Sequence, residues 1–124
     1  MKKILLVEDD QFLSVLMKNR LQQEGFEVLL AGNSEEALKT LETIQPDLIL
    51  LDIILPNTSG FETMQTIVAN PKYGRAPIII ISNLGQPADI ARGKELGAVD
   101  YFVKAQTPID TLIDKIKEFL STRP

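Results

Sequence analysis

The sequence of 124 residues contains no cysteine, no histidine and no tryptophan. Without cysteine, the chain has no disulfide framework, no thiol nucleophile and no redox pair. Without histidine, it has no zinc site of the usual kind, no Ser-His triad and no histidine that carries a phosphoryl group. These absences exclude several classes of enzyme and of metal site.

Long hydrophobic runs are also absent. The longest apolar runs, such as residues 78–81, are short, whereas a membrane-spanning helix needs about 20 residues. At the amino terminus, Met1, Lys2 and Lys3 precede only four apolar residues and then three acids, which is not the pattern of a signal peptide. We therefore expect a soluble, cytoplasmic protein that folds as one domain over residues 1–124.

The charge balance is mildly acidic, with 17 acidic residues against 13 basic ones and a formal charge of −4. A general nucleic-acid-binding protein carries a basic patch. Nothing near the carboxyl terminus resembles a helix-turn-helix. We therefore expect no direct binding of nucleic acid by this chain.

Short apolar runs recur along the chain, at residues 4–7, 28–30, 48–51, 78–81 and 101–103. Continuous rather than alternating apolarity is typical of strands covered on both faces, as in a parallel sheet. Amphipathic helical patterns lie between the runs and after the last one. This alternation predicts a doubly wound (βα)5 sandwich of three layers, built from five strand–helix units with right-handed crossovers.

Proline and glycine mark the expected helix ends. Pro87 is predicted to open the fourth helix, which Gly93 weakens because glycine costs about 1 kcal/mol relative to alanine inside a helix. Thr107 is predicted to cap the fifth helix, with Pro108 at its first position.

Polar side chains follow four of the predicted strands. They are Glu8, Asp9 and Asp10 after strand 1, Asp52 after strand 3, Ser82 and Asn83 after strand 4, and Lys104 after strand 5. With the strand order 2-1-3-4-5, these side chains converge on one crevice at the carboxyl edge of the sheet. Neighbouring carboxylates repel one another unless a cation lies between them, and an all-oxygen ligand set favours Mg²⁺, or Mn²⁺ in its place.

Each of these residues also has a purely structural interpretation. Asp9 and Asp10 suit the positive end of a helix dipole, and Asp52 could mark the point where a strand meets water. Ser82 could be an ordinary loop hydroxyl, and Lys104 a solvated charge. The combination of acids, a hydroxyl and a lysine at neighbouring strand ends favours a functional site.

Four motifs, in order and covering nearly the whole chain, carry a family resemblance. They are ILLVEDD at residues 4–10, PDLILLDIILP at 46–56, PIIIIS at 77–82 and GAVDYFVK at 97–104. Together they resemble the receiver domains of bacterial two-component response regulators, whose fold is the flavodoxin-like, CheY-like one.

The resemblance implies that Asp52 is the phosphoacceptor. It also implies a Mg²⁺ site formed directly by Asp9, Asp52 and the backbone carbonyl of Ile54, with Glu8 acting more through water. By the same resemblance, the phosphoryl group comes from a sensor histidine kinase, a histidine phosphotransfer protein or a small acyl phosphate. The chain would then catalyse only its own phosphorylation and dephosphorylation.

The resemblance assigns roles to three further residues. Lys104 would pair with one phosphoryl oxygen, Ser82 would hydrogen-bond another, and Tyr101 would be the aromatic switch that follows Ser82. The face formed by helix 4, strand 5 and helix 5 would serve a homodimer or a downstream target, and the kinase would dock near helix 1.

The sequence departs from the family pattern after Lys104. The family usually has a proline there, preceded by a cis peptide, but this chain has Ala105. A cis bond to alanine costs roughly 2.5–4 kcal/mol, so the loop either carries that strain or takes another path. Asn83 replaces a small residue and is expected to narrow access to the phosphoryl group. By the resemblance, Ile54 and Leu84 stand at variable positions that influence the attack of water in this family, and because both are apolar we expect a long-lived phosphoryl group.

Two other functions compete with this interpretation. A pseudo-receiver would share the fold but act without phosphorylation, and Ala105 keeps that alternative open. A haloacid-dehalogenase-like phosphatase would also use an aspartate and Mg²⁺, but it needs an acid two residues after the nucleophile, where this chain has Ile54.

Overall fold

The computed structural model describes residues 1–122, so the last two residues of the predicted domain lie outside the described range. Strands and helices alternate throughout. The strands are β1 (Lys3–Val7), β2 (Glu27–Ala31), β3 (Leu48–Leu51), β4 (Ile78–Ser82) and β5 (Asp100–Val103), and the helices are α1 (Gln11–Gln23), α2 (Ser34–Thr43), α3 (Gly60–Ala69), α4 (Pro87–Glu95) and α5 (Ile109–Ser121). Short 3-10 helices follow α3 (Pro71–Tyr73) and β5 (Lys104–Gln106).

The five strands form one sheet in the order β2-β1-β3-β4-β5, and all four pairings are parallel. This is the predicted doubly wound α/β fold. β1, β3 and β4 are the central strands, and their carboxyl ends lie side by side. Val7 pairs with Leu51 at the ends of β1 and β3, and Ser82 pairs with Val103 at the ends of β4 and β5.

Two apolar cores cover the faces of the sheet. Successive side chains of β1 alternate between them, because neighbouring residues in a strand point to opposite faces. Leu5 and Val7 belong to the core on one face, whereas Ile4 and Leu6 belong to the core on the other face. Every apolar position of the central strands is therefore buried, which explains why their sequences are continuously hydrophobic. No helix among the described residues could span a membrane.

The start of α5 differs from the prediction. Pro108 is the N-cap residue and makes no side-chain capping bond, while the Thr107 hydroxyl donates to the carbonyl of Val103 2.9 Å away. The predicted cap at Thr107 was therefore wrong, because its hydroxyl bonds back into the preceding turn. α4 does begin at Pro87, as predicted.

Gly93 lies where α4 crosses the edge of the sheet. A Cβ atom at this position would lie 2.6 Å from Cδ1 of Ile80 and 2.9 Å from Cδ2 of Tyr101. Contacts that short do not occur between real side chains without a shift of one partner. The glycine that weakens the helix locally is thus the residue that lets α4 approach β4 and β5.

Candidate functional site

An acidic cluster lies at the carboxyl edge of the sheet. Glu8 directly follows β1 and Asp52 directly follows β3, so the pairing of these strands places the two residues next to each other. Together with Asp9, they bring three carboxylate ligand atoms within 4.8 Å of one another. Glu8 and Asp52 are buried, whereas Asp9 is exposed. The cluster is therefore embedded in the protein on one side and open to water on the other.

The ammonium group of Lys104 lies between the two buried acids. Its Nζ is 2.6 Å from Oε1 of Glu8 and 2.7 Å from Oδ2 of Asp52. Lys104 follows β5, two strands away from β3, and only the fold brings it to this position. The sequence-predicted residues Glu8, Asp9, Asp52 and Lys104 thus lie in one cluster, although their chemical roles stay predictions.

The backbone around Asp52 holds its carboxylate in place. The N–H of Ile54 donates to Oδ1 of Asp52 over 3.1 Å, so each carboxylate oxygen has a partner. The loop also depends on Gly60, because a Cβ there would lie 2.2 Å from the carbonyl oxygen of Asp52. Only glycine permits this close approach of α3 to the Asp52 backbone. The predicted metal-ligand role of the Ile54 carbonyl stays a prediction.

Burial and ion pairing act in opposite directions on the cluster. Burial raises the pKa of Glu8 to about 7, against the hydrogen bonds from Lys104 and from the N–H of Asp10. Burial lowers the pKa of Lys104, but its hydrogen bonds to Asp52 and Glu8 outweigh that effect and leave the pKa raised. Lys104 therefore keeps its positive charge, while burial favours the protonated form of Glu8.

The cluster fits a divalent cation of the hard type. Glu8, Asp9 and Asp52 supply three carboxylates and Lys104 supplies one ammonium, which leaves about two negative charges uncompensated when all the acids are ionised. All potential ligand atoms are oxygens, and Mg²⁺ and Mn²⁺ prefer oxygen ligands. The exposure of Asp9 leaves room for the water ligands that Mg²⁺ keeps.

Asp10 takes no part in the cluster. Its carboxylate accepts a hydrogen bond from the N–H of Leu13, 3.1 Å away, and so caps the start of α1. Its own N–H donates to Oε2 of Glu8 over 3.1 Å. The three consecutive acids after β1 therefore divide between two tasks: Asp10 is the helix cap, and Glu8 and Asp9 form the cluster.

The predicted switch residues meet at Leu84, in the loop between β4 and α4. Ser82 is fully buried at the end of β4, and its hydroxyl accepts a hydrogen bond from the N–H of Leu84 over 3.4 Å. The Tyr101 hydroxyl donates to the carbonyl oxygen of Leu84. Its ring is buried against Gly93 of α4. One loop residue thus links the two side chains, whose switching role stays a prediction.

The chain takes another path after Lys104 rather than a cis peptide. The structure has no cis bond among residues 1–122, and the segment Lys104–Gln106 forms a 3-10 helix instead. Ala105, unlike proline, has an N–H, which donates to Oδ1 of Asn83 over 3.1 Å. This bond was not predicted from the sequence. The available signal was an amide side chain on one loop and a non-proline residue on the next.

Comparisons with known proteins agree with this geometry. The family model described as the response regulator receiver domain matches residues 4–117. The chain is similar to the phosphate regulon transcriptional regulatory protein PhoB of Rhizobium meliloti (strain 1021), with 39% identity over 120 residues, which are 95% of this chain and 52% of that protein. The chain spans about half the length of the curated relatives it matches.

Two solved structures extend the similarity to the fold. A CheY-like receiver domain protein from Methanospirillum hungatei JF-1 has a TM-score of 0.86 and 29% identity, with 98% of this chain and 95% of that chain covered. The Mn²⁺-bound form of the response regulator Rcp1 has a TM-score of 0.85 and 27% identity, with 97% and 94% covered. The chain belongs to the receiver domain family of two-component response regulators.

Proposed function

We propose that this receiver domain accepts a phosphoryl group on Asp52 and that the aspartyl phosphate switches its surface. The observation that carries the proposal is the buried Asp52 carboxylate, which is 4% exposed and contacts the Lys104 ammonium beside Glu8 and Asp9. A structural ion pair alone would not require two additional acids at the same place. The excess of negative charge is what a phosphoryl-transfer site with a divalent cation needs.

In the proposed reaction, an oxygen of Asp52 attacks the phosphorus of a phosphohistidine on another protein. A P–O bond to Asp52 forms as the P–N bond breaks, and the leaving imidazole keeps the electron pair and takes a proton from water. Lys104 moves its hydrogen bond from Oδ2 of Asp52 to a phosphoryl oxygen, where its charge stabilises the transition state. The N–H of Ile54 keeps Oδ1 of Asp52 oriented. Asp9, Asp52 and the backbone carbonyl of Ile54, with Glu8 acting more through water, would hold Mg²⁺ or Mn²⁺, which would neutralise the charge on the oxygens of the transferring group.

The new phosphoryl group is proposed to act on the loop between β4 and α4. The Ser82 hydroxyl would move toward a phosphoryl oxygen to donate a hydrogen bond to it, and this movement would break the bond that the hydroxyl now accepts from the N–H of Leu84. Movement of Leu84 would in turn change its contact with the Tyr101 hydroxyl. The surface of α4, β5 and α5 would thereby change for a downstream protein or for a second copy of the chain.

The proposed phosphodonor is a sensor histidine kinase or a histidine phosphotransfer protein in the cytoplasm, because this chain has no histidine of its own. We propose that the donor docks near α1, where Phe12 and Val15 are 79% and 51% exposed. We propose no substrate for this chain other than the phosphodonor. We also propose no binding of nucleic acid.

The first experiment is incubation with acetyl phosphate and Mg²⁺, followed by intact-mass measurement. The wild type should gain the mass of one phosphoryl group, and Asp52→Asn should not. The matched control is Asp10→Asn, since asparagine also caps helices well and Asp10 lies outside the acidic cluster. Asp10→Asn should still form the adduct.

Other results point to the competing functions. A wild-type protein that forms no adduct with acetyl phosphate or with a phosphohistidine protein would act as a pseudo-receiver. Turnover of many phosphate esters without a stable adduct would indicate a hydrolase. An adduct that persists in Asp52→Asn would place the phosphoacceptor elsewhere.

The phosphoryl group is proposed to be long-lived, because apolar side chains flank the site. Ile54, two residues after Asp52, is 53% exposed, and Leu84, two residues after Ser82, is half-buried. Both would hinder the approach of a water molecule to phosphorus. Replacement of either residue by a polar side chain of similar size, Ile54→Gln or Leu84→Gln, should shorten the lifetime of the adduct. An unchanged lifetime in both variants would contradict this role.

A further inference from the structure

A single side-chain hydrogen bond joins the two loops that carry Ser82 and Lys104. Asn83 directly follows Ser82, and its Oδ1 accepts the N–H of Ala105, which directly follows Lys104. The two bonded residues are both exposed, so the bond contributes little to the stability of the whole fold. However, the bond joins the residues that directly follow Ser82 and Lys104, so it can affect the positions of these two predicted functional residues.

The backbone of Lys104 lies between two attachments to the β4 side of the site. The sheet pairing of β4 with β5 ends at Ser82 and Val103, immediately before Lys104. The next attachment is the bond from Ala105 to Asn83, immediately after Lys104. Between these two points, the backbone of Lys104 has little freedom to shift along or away from the sheet.

The placement of this backbone decides where the ammonium group lies. Lys104 spans from β5 to Glu8 and Asp52, which follow β1 and β3, and its Nζ makes contacts of 2.6 and 2.7 Å there. A long side chain loses a contact of this kind when its anchor moves, since hydrogen bonds weaken quickly beyond their usual length. Ala105, unlike a proline, has an N–H that can be held by a neighbouring side chain, and Asn83 accepts it.

We propose that Asn83 is a positioning residue for Lys104 in phosphoryl transfer. Its side-chain amide holds the N–H of Ala105 and so fixes the backbone from which Lys104 extends to Asp52. This inference rests on the proposed phosphorylation of Asp52. It differs from the sequence-based expectation for Asn83, in which the side chain only narrows access to the phosphoryl group. The two roles predict opposite effects, because removal of an obstacle speeds the reaction and loss of a support slows it.

The test is the initial rate of phosphorylation by acetyl phosphate at saturating Mg²⁺, for the wild type and Asn83→Ala. The maximal rate should fall about tenfold in Asn83→Ala, with a similar half-saturating concentration of acetyl phosphate, because misplacement of a catalytic group mainly affects the transition state. The matched control is Asn70→Ala. The side chain of Asn70 accepts a hydrogen bond from the N–H of Lys72 over 3.2 Å. Asn70 precedes the 3-10 helix Pro71–Tyr73, which comes before the start of β4, whereas the site follows the ends of the strands. Asn70→Ala should keep the wild-type rate.

A double-mutant cycle then tests whether Asn83 acts through Lys104. In a Lys104→Met background, Asn83→Ala should change the residual rate by less than about twofold, because there is no ammonium left to misplace. A role in access would persist in that background. A rate that rises or stays unchanged in Asn83→Ala, or that falls equally in both backgrounds, would overturn the proposal.

Amide hydrogen exchange at Ala105 examines the bond without any phosphorylation. Protection of this amide should be lost in Asn83→Ala and kept in Asn83→Asp, which retains the acceptor oxygen. Equal exchange in the wild type and Asn83→Ala would show that the bond does not form in solution and would overturn the proposal. Absence of an adduct in the wild type would instead overturn the proposed function, while the exchange result would still report on the bond.

Discussion

Helices α4 and α5 lie on opposite faces of the sheet and are attached to it in different ways. Four apolar side chains of α5 are buried in the core: Leu112, Ile113, Ile116 and Leu120. In α4 the only buried residue is Gly93, and Ile90 is only partly buried against the core. Gly93 brings the backbone of α4 close to Ile80 and Tyr101 rather than adding apolar area of its own.

This difference indicates which part of the molecule can move with a small loss of stability. Burial of a large apolar side chain contributes roughly 1.5–3 kcal/mol, so four such residues hold α5 firmly. α4 lacks this contribution and depends on a close backbone approach and on the loop that precedes it. Segments with few buried apolar contacts open most easily. The contrast is consistent with the proposed role of α4 and its preceding loop in switching.

The largest expected effect comes from truncating the core of α5. Ile116 is 0% exposed, and Ile116→Ala should lower the free energy of unfolding by about 2–5 kcal/mol. The matched variant Ile90→Ala in α4 should cost clearly less, because Ile90 is only partly buried. Urea unfolding measures both values. Equal losses in the two variants would remove the contrast between the helices.

A smaller effect is expected when the close approach of α4 is blocked. An alanine normally favours a helix by about 1 kcal/mol over glycine. Gly93→Ala should instead destabilise the protein by about 1–3 kcal/mol, because its Cβ would overlap Ile80 and Tyr101.

A second substitution identifies the cause of that loss. Ile80→Val removes the Cδ1 methyl that the new Cβ would meet, and the double variant Ile80→Val with Gly93→Ala should be more stable than the sum of the single changes predicts. Thermal or urea unfolding of the four proteins measures this coupling. Additive losses would mean that the Cδ1 methyl of Ile80 is not the group that opposes the new Cβ.

A still smaller effect is expected from the hydrogen bond between Tyr101 and Leu84. Tyr101→Phe removes the hydroxyl donor and should lower the free energy of unfolding by about 1 kcal/mol. The change should be seen mainly as faster amide hydrogen exchange at the start of α4. The control is Tyr73→Phe, since the Tyr73 hydroxyl makes no hydrogen bond within residues 1–122. Faster exchange in α5 to the same extent would show global destabilisation and not local release of α4.

The smallest effect on stability is expected from Mg²⁺, which would bind at the carboxyl ends of the strands, where both helices start. Burial raises the pKa of Glu8 to about 7, so below that pH this carboxyl holds a proton that a metal ion must displace. The rise in melting temperature caused by Mg²⁺ should therefore be larger at pH 8 than at pH 6. Asp9→Asn should abolish it at both pH values. An equal rise at pH 6 and pH 8 would mean that Mg²⁺ displaces no proton from Glu8 in this pH range.

Much of the fold was predictable because its signals are local. The continuous apolar runs at residues 4–7 and 48–51 lie in β1 and β3, and both faces of these strands are buried. The alternation of strands and helices predicted the doubly wound sheet. It also led to the convergence of Glu8 and Asp52, since the carboxyl ends of parallel strands meet at one edge of the sheet.

The predictions from the sequence failed or were incomplete where atoms are close in space but separated in sequence. The Thr107 hydroxyl could cap α5 or bond back to Val103, and only the path of the turn decided between them. The sequence suggested that Gly93 weakens α4, whereas its packing against Ile80 and Tyr101 depends on how α4 lies on the sheet.

The charge of the chain illustrates the same division. Glu8, Asp9 and Asp52 account for three of the 17 acidic residues, and the other 14 nearly balance the 13 basic ones. The sequence by itself determined which residues follow each strand, and with them the acids, the lysine and the absence of any histidine. Only the tertiary structure decided which of these side chains touch, because the Lys104 contacts and the bond from Ala105 to Asn83 join loops from different strands. A contact of this kind is lost when its two atoms move apart by roughly a few tenths of an ångström. The positions of these atoms are set by the packing of the helices on the sheet, and no local sequence pattern encodes that packing.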